Sequence, residues 1–258
     1  MSDWNPEQYA RFTDLRLRPA LDLLNAVGEL PQGEIRDLGC GAGAVAPLLR
    51  ARFPERVLIG VEQSEAMRAK ARALSLYTEV QGGDIARHDL GEGNALLFTN
   101  AALNWLPDHK TLLPRLIERL VPGGWLATQV PYQHDAPSHA LARQVAHDLA
   151  PKAFPETRAK PHVRAPRTYA ALLAPLGEVR VWMTEYMQNL PPAAEGHPVR
   201  QFTRSTYLRP YLAHFEAEGR EAEYLAAYDA ALGEAYPLEE GGGVWFPFKR
   251  LFLTLRKT

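Results

Sequence analysis

Hydrophobic and polar residues alternate along the first half of the chain in a repeating two-part rhythm. Short runs at 35–38, 57–61, 77–81, 95–99 and 125–130 have the length of strands, and those at 57–61, 95–99 and 125–130 are mainly apolar, as strands buried on both faces are. Between them lie stretches whose apolar residues return at helical spacing, at 43–52, 64–74 and 109–120. A first helix at 9–27 precedes them, carrying Phe12, Leu15, Ala20, Leu21, Leu23 and Leu24. Ser64 stands where an N-cap is wanted, and Pro122-Gly123-Gly124 is expected to stop the helix that begins at His109. Five strand–helix alternations predict a parallel sheet covered on both faces.

Beyond Pro131 the rhythm changes. Helical segments are expected at 138–149 and 169–176, separated by a proline-rich, basic stretch at 151–166. A strand at 178–186, a helical region at 193–236 with Leu225, Tyr228 and Leu232 along one stripe, and a strand at 245–256 complete the pattern. The predicted fold class is α/β, a Rossmann-like, seven-stranded, mostly parallel sheet. Residues 1–130 are expected to form the ligand-binding core with its N-terminal covering helix. Residues 131–258 are expected to finish the sheet and to carry a helical lid over the carboxyl ends of the strands, where open α/β sheets bind ligands.

Chemistry enters where the first strand ends. Ile35-Arg36-Asp37-Leu38 runs into Gly39-Cys40-Gly41-Ala42-Gly43, a turn whose glycines let the backbone bend sharply and approach a ligand. Glu62 closes the next strand 19 positions after Gly43 (62 minus 43), where such domains grip a ribose through its hydroxyls. Gly82-Gly83-Asp84-Ile85 follows the third strand and offers an acid for an adenine's amine and an apolar neighbour for its face. Asp37 suits an ammonium group, and Asn100-Ala101-Ala102-Leu103-Asn104-Trp105 follows the fourth strand beside the glycine turn. A ligand with ribose, adenine and an amino-acid moiety but no pyrophosphate answers this description, as S-adenosyl-L-methionine does. Gly39 to Ala44 also satisfies the relaxed dinucleotide fingerprint, so an NAD-dependent oxidoreductase stays open on these residues.

Composition removes other classes. A net charge of −1 gives no bulk electrostatic reason to expect nucleic acid. The single cysteine, Cys40, cannot form an intramolecular disulfide and agrees with a reducing compartment; within the turn it reads as a small filler, not a nucleophile. The N-terminus lacks the basic and apolar regions of a signal peptide, and no apolar run approaches the roughly 20 residues that cross a bilayer. The expectation is a cytoplasmic protein, monomeric or weakly homo-oligomeric, with a small-molecule substrate and neither nucleic acid nor membrane as partner. His134 and His139 are five apart with no cysteine or acid cluster beside them, so no metal is expected.

Taken with the sheet pattern, Asp37 to Gly43 resembles the class I S-adenosylmethionine-dependent methyltransferases. Further pieces narrow the likeness to the trans-aconitate 2-methyltransferases. They are Ser2-Asp3-Trp4-Asn5-Pro6 with Tyr9 and Phe12, Arg16 to Ala20, Asn100 to His109, Leu208-Arg209-Pro210-Tyr211-Leu212, Tyr236-Pro237-Leu238, Phe246-Pro247, and Arg250-Leu251-Phe252. Departures are Asn104 in place of a more usual glutamine, the segment Tyr132-Gln133-His134-Asp135, and the extra Lys249.

The resemblance implies methyl transfer to a carboxylate of trans-aconitate, giving a monomethyl ester, with S-adenosyl-L-homocysteine as the other product. It implies Trp4, Tyr9 and Arg16 as a flap on the cofactor. With them it places Asp37, Gly39, Cys40, Gly41, Gly43, Glu62, Gln63, Asp84, Ile85 and Asn100 around the cofactor. Asn100 and Trp105 would align the reactants. No residue is expected as general base, since a carboxylate with a pKa around 4 is already anionic at neutral pH. A tricarboxylate calls for fixed cations, and arginine's planar fork suits it best. Arg209 and Arg250 are the leading candidates, with Tyr132 and His134 beside them; Arg204, Lys160, Arg164 and His162 read better as solvated surface. Another small carboxylic acid or a malonyl thioester remains an alternative acceptor.

Overall fold

The computed structural model describes residues 13–155 and 161–258, with side chains from residue 17 onward. Seven strands form one sheet: β1 (Glu34–Leu38), β2 (Leu58–Glu62), β3 (Glu79–Gly82), β4 (Asn94–Asn100), β5 (Leu120–Pro131), β6 (Gly177–Leu190) and β7 (Val244–Lys257). Their order is β3-β2-β1-β4-β5-β7-β6. Neighbours from β3 to β5 run parallel and β7 runs antiparallel to β5, so the sheet is the mostly parallel one expected. Strand order reverses between β1 and β4, and the crevice beyond their carboxyl ends is where such sheets take ligands.

The sheet's centre is apolar because it is covered on both faces. Ile35, Leu38, Leu58, Val61 and the β4 run Ala95-Leu96-Leu97-Phe98 are buried. Each of the larger side chains contributes roughly 1.5–3 kcal/mol by leaving water. Helices α1 (Thr13–Asn25), α2 (Ala46–Arg52), α3 (Glu65–Ala73) and α4 (His109–Glu118) punctuate these strands. Ser64 caps α3, its Oγ accepting from Met67 N at 3.4 Å.

Several boundaries differ from the sequence pattern. The helix expected from Gly43 starts at Ala46, because Gly43 sits at φ +85°, outside the right-handed helical region. Strand β3 starts at Glu79, two residues after Tyr77, whose ring packs against Gly60 instead. Pro122-Gly123-Gly124, expected only to stop a helix, lies inside β5, with a register shift against β4 between Asn94 and Leu96.

The chain divides into two compact units. The first holds residues 1–131, 162–184 and 250–258, and includes α6 (Pro166–Leu173). The second holds residues 132–161 and 185–249, with α5 (Pro137–Leu149), α7 (Pro198–Arg204), α8 (Arg209–Ala217) and α9 (Glu221–Ala235). The region read as helical from 193 to 236 is thus three helices, the last two parted by Gly219 at φ +70°. Leu225, Tyr228 and Leu232 are all buried, as one stripe requires. Tyr228 Oη donates to Ser138 O at 2.7 Å and Tyr224 Oη to Ala142 O at 3.2 Å, so the large buried rings of α9 satisfy their hydroxyls on α5.

Candidate functional site

Gly39, Gly41 and Gly43 take φ values of +73°, +57° and +85°, a conformation side-chain-bearing residues rarely adopt. Their surroundings differ. A Cβ on Gly39 would collide with Ala102 and touch Ile85, and one on Gly43 would lie 2.6 Å from Leu74 Cδ1. One on Gly41 would meet nothing within 4 Å. The flanking glycines therefore let protein pack on protein, while the middle one leaves room for a ligand against bare backbone.

Acidic groups converge on that open face. Glu62, last residue of β2, accepts from Gly41 N at 3.1 Å and from Ser64 N at 2.9 Å. Its carboxylate is half-buried, at the place a ribose-binding acid would occupy. Asp37 is 1% exposed and takes a 2.7 Å hydrogen bond from Tyr77 Oη. Burial raises the Asp37 carboxyl to about 7; the nearby Glu62 charge raises it further and the Tyr77 bond opposes both. An ammonium group brought to this carboxyl would supply a counter-charge. Cys40 packs with Ala71, Val80 and Tyr77, and burial, then the Asp37 and Glu62 charges, push its thiol up. That keeps it a neutral filler, not a thiolate. Gln63 is exposed beside Glu62.

Past β3, Asp84 forms a tight turn, its Oδ1 accepting from Ala86 N at 2.9 Å and its carbonyl from His88 N at 2.7 Å. One carboxylate oxygen is thus used structurally, and the turn brings Ile85 against Gly39. Past β4, Ala101 is held at φ +56° and donates to Gln129 O at 2.9 Å. A non-glycine residue there is uncommon, and such strain collects at functional edges. Leu103–Trp105 forms a single 3-10 turn. Asn104 donates to Ala101 O at 2.9 Å and accepts from Trp105 Nε1 at 3.2 Å, the one amide orientation that satisfies both groups. Trp105 is 49% exposed, an aromatic face held toward solvent.

Of the expected acceptor-binding residues, Arg250 belongs to the first unit, is 3% exposed and donates to Gln129 Oε1 at 3.1 Å. In the second unit, Tyr132 N donates to Lys249 O at 2.9 Å, His134 is half-buried, and Arg209 opens α8. Arg204 is paired with Glu221 at 2.8 Å, whereas Arg164 and His162 are exposed. Trp4, Tyr9 and Lys160 lie outside the described residues, and Arg16 is described only through its backbone.

Sequence reading missed three participants. Tyr77 was absorbed into a strand. Gln129 looked like an ordinary polar position in β5, though a polar residue at the carboxyl end of a buried strand is itself a signal. In the second unit, Arg143 donates to Tyr207 Oη at 2.8 Å and to His134 O at 2.7 Å, with no carboxylate paired to it among the described residues. His139 packs tilted against Tyr207 with ring centroids 3.8 Å apart, and burial, then Arg143 and His134, hold its imidazole down at about 3. Residues 64 apart in sequence gave no hint of this cluster around Arg143.

Comparison with known proteins follows the same lines. A family model described as a methyltransferase domain matches residues 35–124. The trans-aconitate 2-methyltransferase of Methylobacterium nodulans is 41% identical over 262 aligned residues, covering 100% of both chains. That of Sinorhizobium fredii is 40% identical over 98% of both. Among solved structures, the YcgJ protein from Bacillus subtilis superposes with a TM-score of 0.57 at 14% identity, over 93% of this chain and 99% of its own. That last likeness speaks to the fold alone.

Proposed function

The chain belongs to the trans-aconitate 2-methyltransferase family of S-adenosylmethionine-dependent methyltransferases, and from that premise we propose the reaction it performs. It moves a methyl group from S-adenosyl-L-methionine to a carboxylate oxygen of trans-aconitate, leaving S-adenosyl-L-homocysteine and a monomethyl ester. The observation that carries this reading is the reach of the likeness. The methyltransferase-domain match ends at residue 124, within the part such enzymes share, whereas the relatives align through the whole second half. Acceptor specificity belongs to that half.

Bound at the glycine turn, S-adenosyl-L-methionine supplies a methyl carbon made electrophilic by its sulfonium. The chain's own residues do the rest. The bare backbone at Gly41 admits the nucleoside, and Glu62 can exchange its bond to Gly41 N for ribose hydroxyls. Asp84 and Ile85 suit the adenine edge and face, and Asp37 the ammonium. The Trp105 ring can attract a cation by about 0.5–2 kcal/mol. Asn100 and Trp105 align the reactants, and alignment of two bound partners removes roughly 7–11 kcal/mol of barrier in favourable cases. The acceptor arrives ionised, so no side chain need remove a proton.

Arg209, Arg250, Tyr132 and His134 are proposed to take the acceptor's carboxylates, and Trp4, Tyr9 and Arg16 to cover the cofactor. No helix among the described residues is long and apolar enough to cross a membrane. We place the enzyme in the cytoplasm, as a monomer or weak homo-oligomer acting on a small diffusible acid, without nucleic-acid or membrane partners.

The test is incubation with labelled S-adenosyl-L-methionine and a panel of trans-aconitate, cis-aconitate, citrate and a malonyl thioester, with mass analysis of products. Label should enter trans-aconitate as one methyl ester. Preferential labelling of the thioester would overturn the assignment.

A further inference from the structure

Three polar side chains from adjacent strands meet at the carboxyl edge of the sheet. Asn100 ends β4, Gln129 lies opposite it in the register of β5, and Arg250 on β7 pairs with Pro131, two residues further along β5. Gln129 is fully buried and Arg250 nearly so. Arg250 Nη1 donates to Gln129 Oε1 at 3.1 Å, and Gln129 Nε2 donates to Asn100 Oδ1.

A guanidinium offers donors only, so the Gln129 amide has one possible orientation: oxygen toward Arg250, nitrogen toward Asn100. Asn100 must then give its oxygen to Gln129, which turns its Nδ2 the other way. Among the described residues nothing accepts from that nitrogen, and Asn100 is only half-buried. An arginine two strands away thus dictates which end of Asn100 faces out, and it is the donor end.

We propose that Gln129 is a positioning residue that makes Asn100 an obligate hydrogen-bond donor to a carboxylate; this rests on the methyltransferase reading of the site. That reaction brings carboxylates from two sources, the amino-acid end of the cofactor and the acceptor. Both present the anionic oxygen that an outward amide N–H selects. An Asn100 turned the other way would oppose that anion with its own oxygen.

Two substitutions separate this role from plain structural support. In Gln129→Glu the carboxylate pairs with Arg250, so the fold is retained. It has no donor for Asn100, which must flip and show its oxygen to the ligand. Gln129→Met leaves Arg250 without that acceptor, costing stability, yet only frees Asn100 to turn. Positioning therefore predicts that Gln129→Glu binds worse and Gln129→Met folds worse. The loss in Gln129→Glu should be roughly tenfold or more, the worth of one hydrogen bond to a charged group.

The readouts are thermal stability, calorimetric affinity for S-adenosyl-L-homocysteine and for methylthioadenosine, and KM for trans-aconitate. Weaker S-adenosyl-L-homocysteine with unchanged methylthioadenosine assigns Asn100 to the cofactor's carboxylate. A raised KM with unchanged S-adenosyl-L-homocysteine assigns it to the acceptor. In an Asn100→Ala background either Gln129 variant should add less than about twofold, as expected for a residue acting through Asn100. Binding losses that track stability, that persist in full beside Asn100→Ala, or that fail to appear would each overturn the proposal. Because the ligand-binding arms need no turnover, they stand apart from whether trans-aconitate is the acceptor. Should Gln129→Glu not fold, Gln129→Met with and without Asn100→Ala decides alone.

Discussion

Three glycines within five residues do two different jobs, and substitution should separate them. All three occupy left-handed backbone, so alanine at any one costs about 1–2 kcal/mol through Cβ crowding alone. At Gly43 the nearest obstacle is the far end of Leu74, which can swing aside. At Gly39 the obstacle is Ala102, fixed in the turn after β4, so Gly39→Ala must also move backbone. At Gly41 there is no obstacle. Gly41→Ala should therefore fold with only the left-handed penalty, yet put a methyl where the ligand lies. Thermal shift with and without S-adenosyl-L-homocysteine should show Gly39→Ala with the lower melting temperature. Gly41→Ala should show an affinity at least roughly tenfold weaker, a methyl being enough to forbid a close backbone approach. Wild-type affinity in Gly41→Ala would mean that the open face is not the ligand's.

At the level of elements, what could be read in advance was whatever local pattern encodes. The buried strands declared themselves because β2, β4 and β5 are mainly apolar, and Asp37, Glu62 and Asn100 lie at strand carboxyl ends where the chain order placed them. Illegible were pairings between residues distant in sequence. His109 and Tyr169, 60 apart, are the clearest case. His109 Nε2 must donate to Leu103 O at 2.8 Å, since a carbonyl only accepts, and so Nδ1 accepts from Tyr169 Oη at 2.5 Å. Tyr169 Oη in turn accepts from Arg164 N at 3.0 Å. One imidazole and one phenol thereby tie α4 and α6 to the 3-10 turn that carries Trp105. Tyr169→Phe strips His109 and Arg164 N of their shared partner. It should destabilise by about 1–3 kcal/mol, the cost of buried polar groups left unpaired. Urea unfolding should show a lower midpoint at unchanged slope. No shift in midpoint would mean water replaces the hydroxyl and the bridge is idle.

For the whole molecule, the two units should answer pH in opposite senses. Asp37, in the first unit, has its carboxyl raised from 3.8 to about 7 by burial. A raised carboxyl binds a proton more readily folded than unfolded, so its contribution is complete below the unfolded value and disappears as pH climbs through 7. Going from pH 7 to pH 5 it adds about 2 kcal/mol, less than two full units at roughly 1.4 kcal/mol each because the group is already half protonated at pH 7. His109, in the same unit, has its pKa lowered by burial and works against this gain. The second unit holds His139, lowered from 6.5 to about 3 by burial, and His197, lowered for the same first reason. A lowered histidine stabilises above its unfolded value and that support drains away as pH falls; at pH 5 His139 alone has lost about 2 kcal/mol. Hydrogen exchange, corrected for intrinsic rates, should therefore show α5, α7 and α9 losing protection from pH 8 to pH 5 while β1, β2 and β4 hold theirs. Asp37→Asn, neutral at every pH, should gain stability at pH 8 and abolish the first unit's rise on acidification. Equal loss of protection in both units, or an Asp37→Asn protein that still gains stability on acidification, would show that Asp37 is not the group that sets the first unit's response to pH.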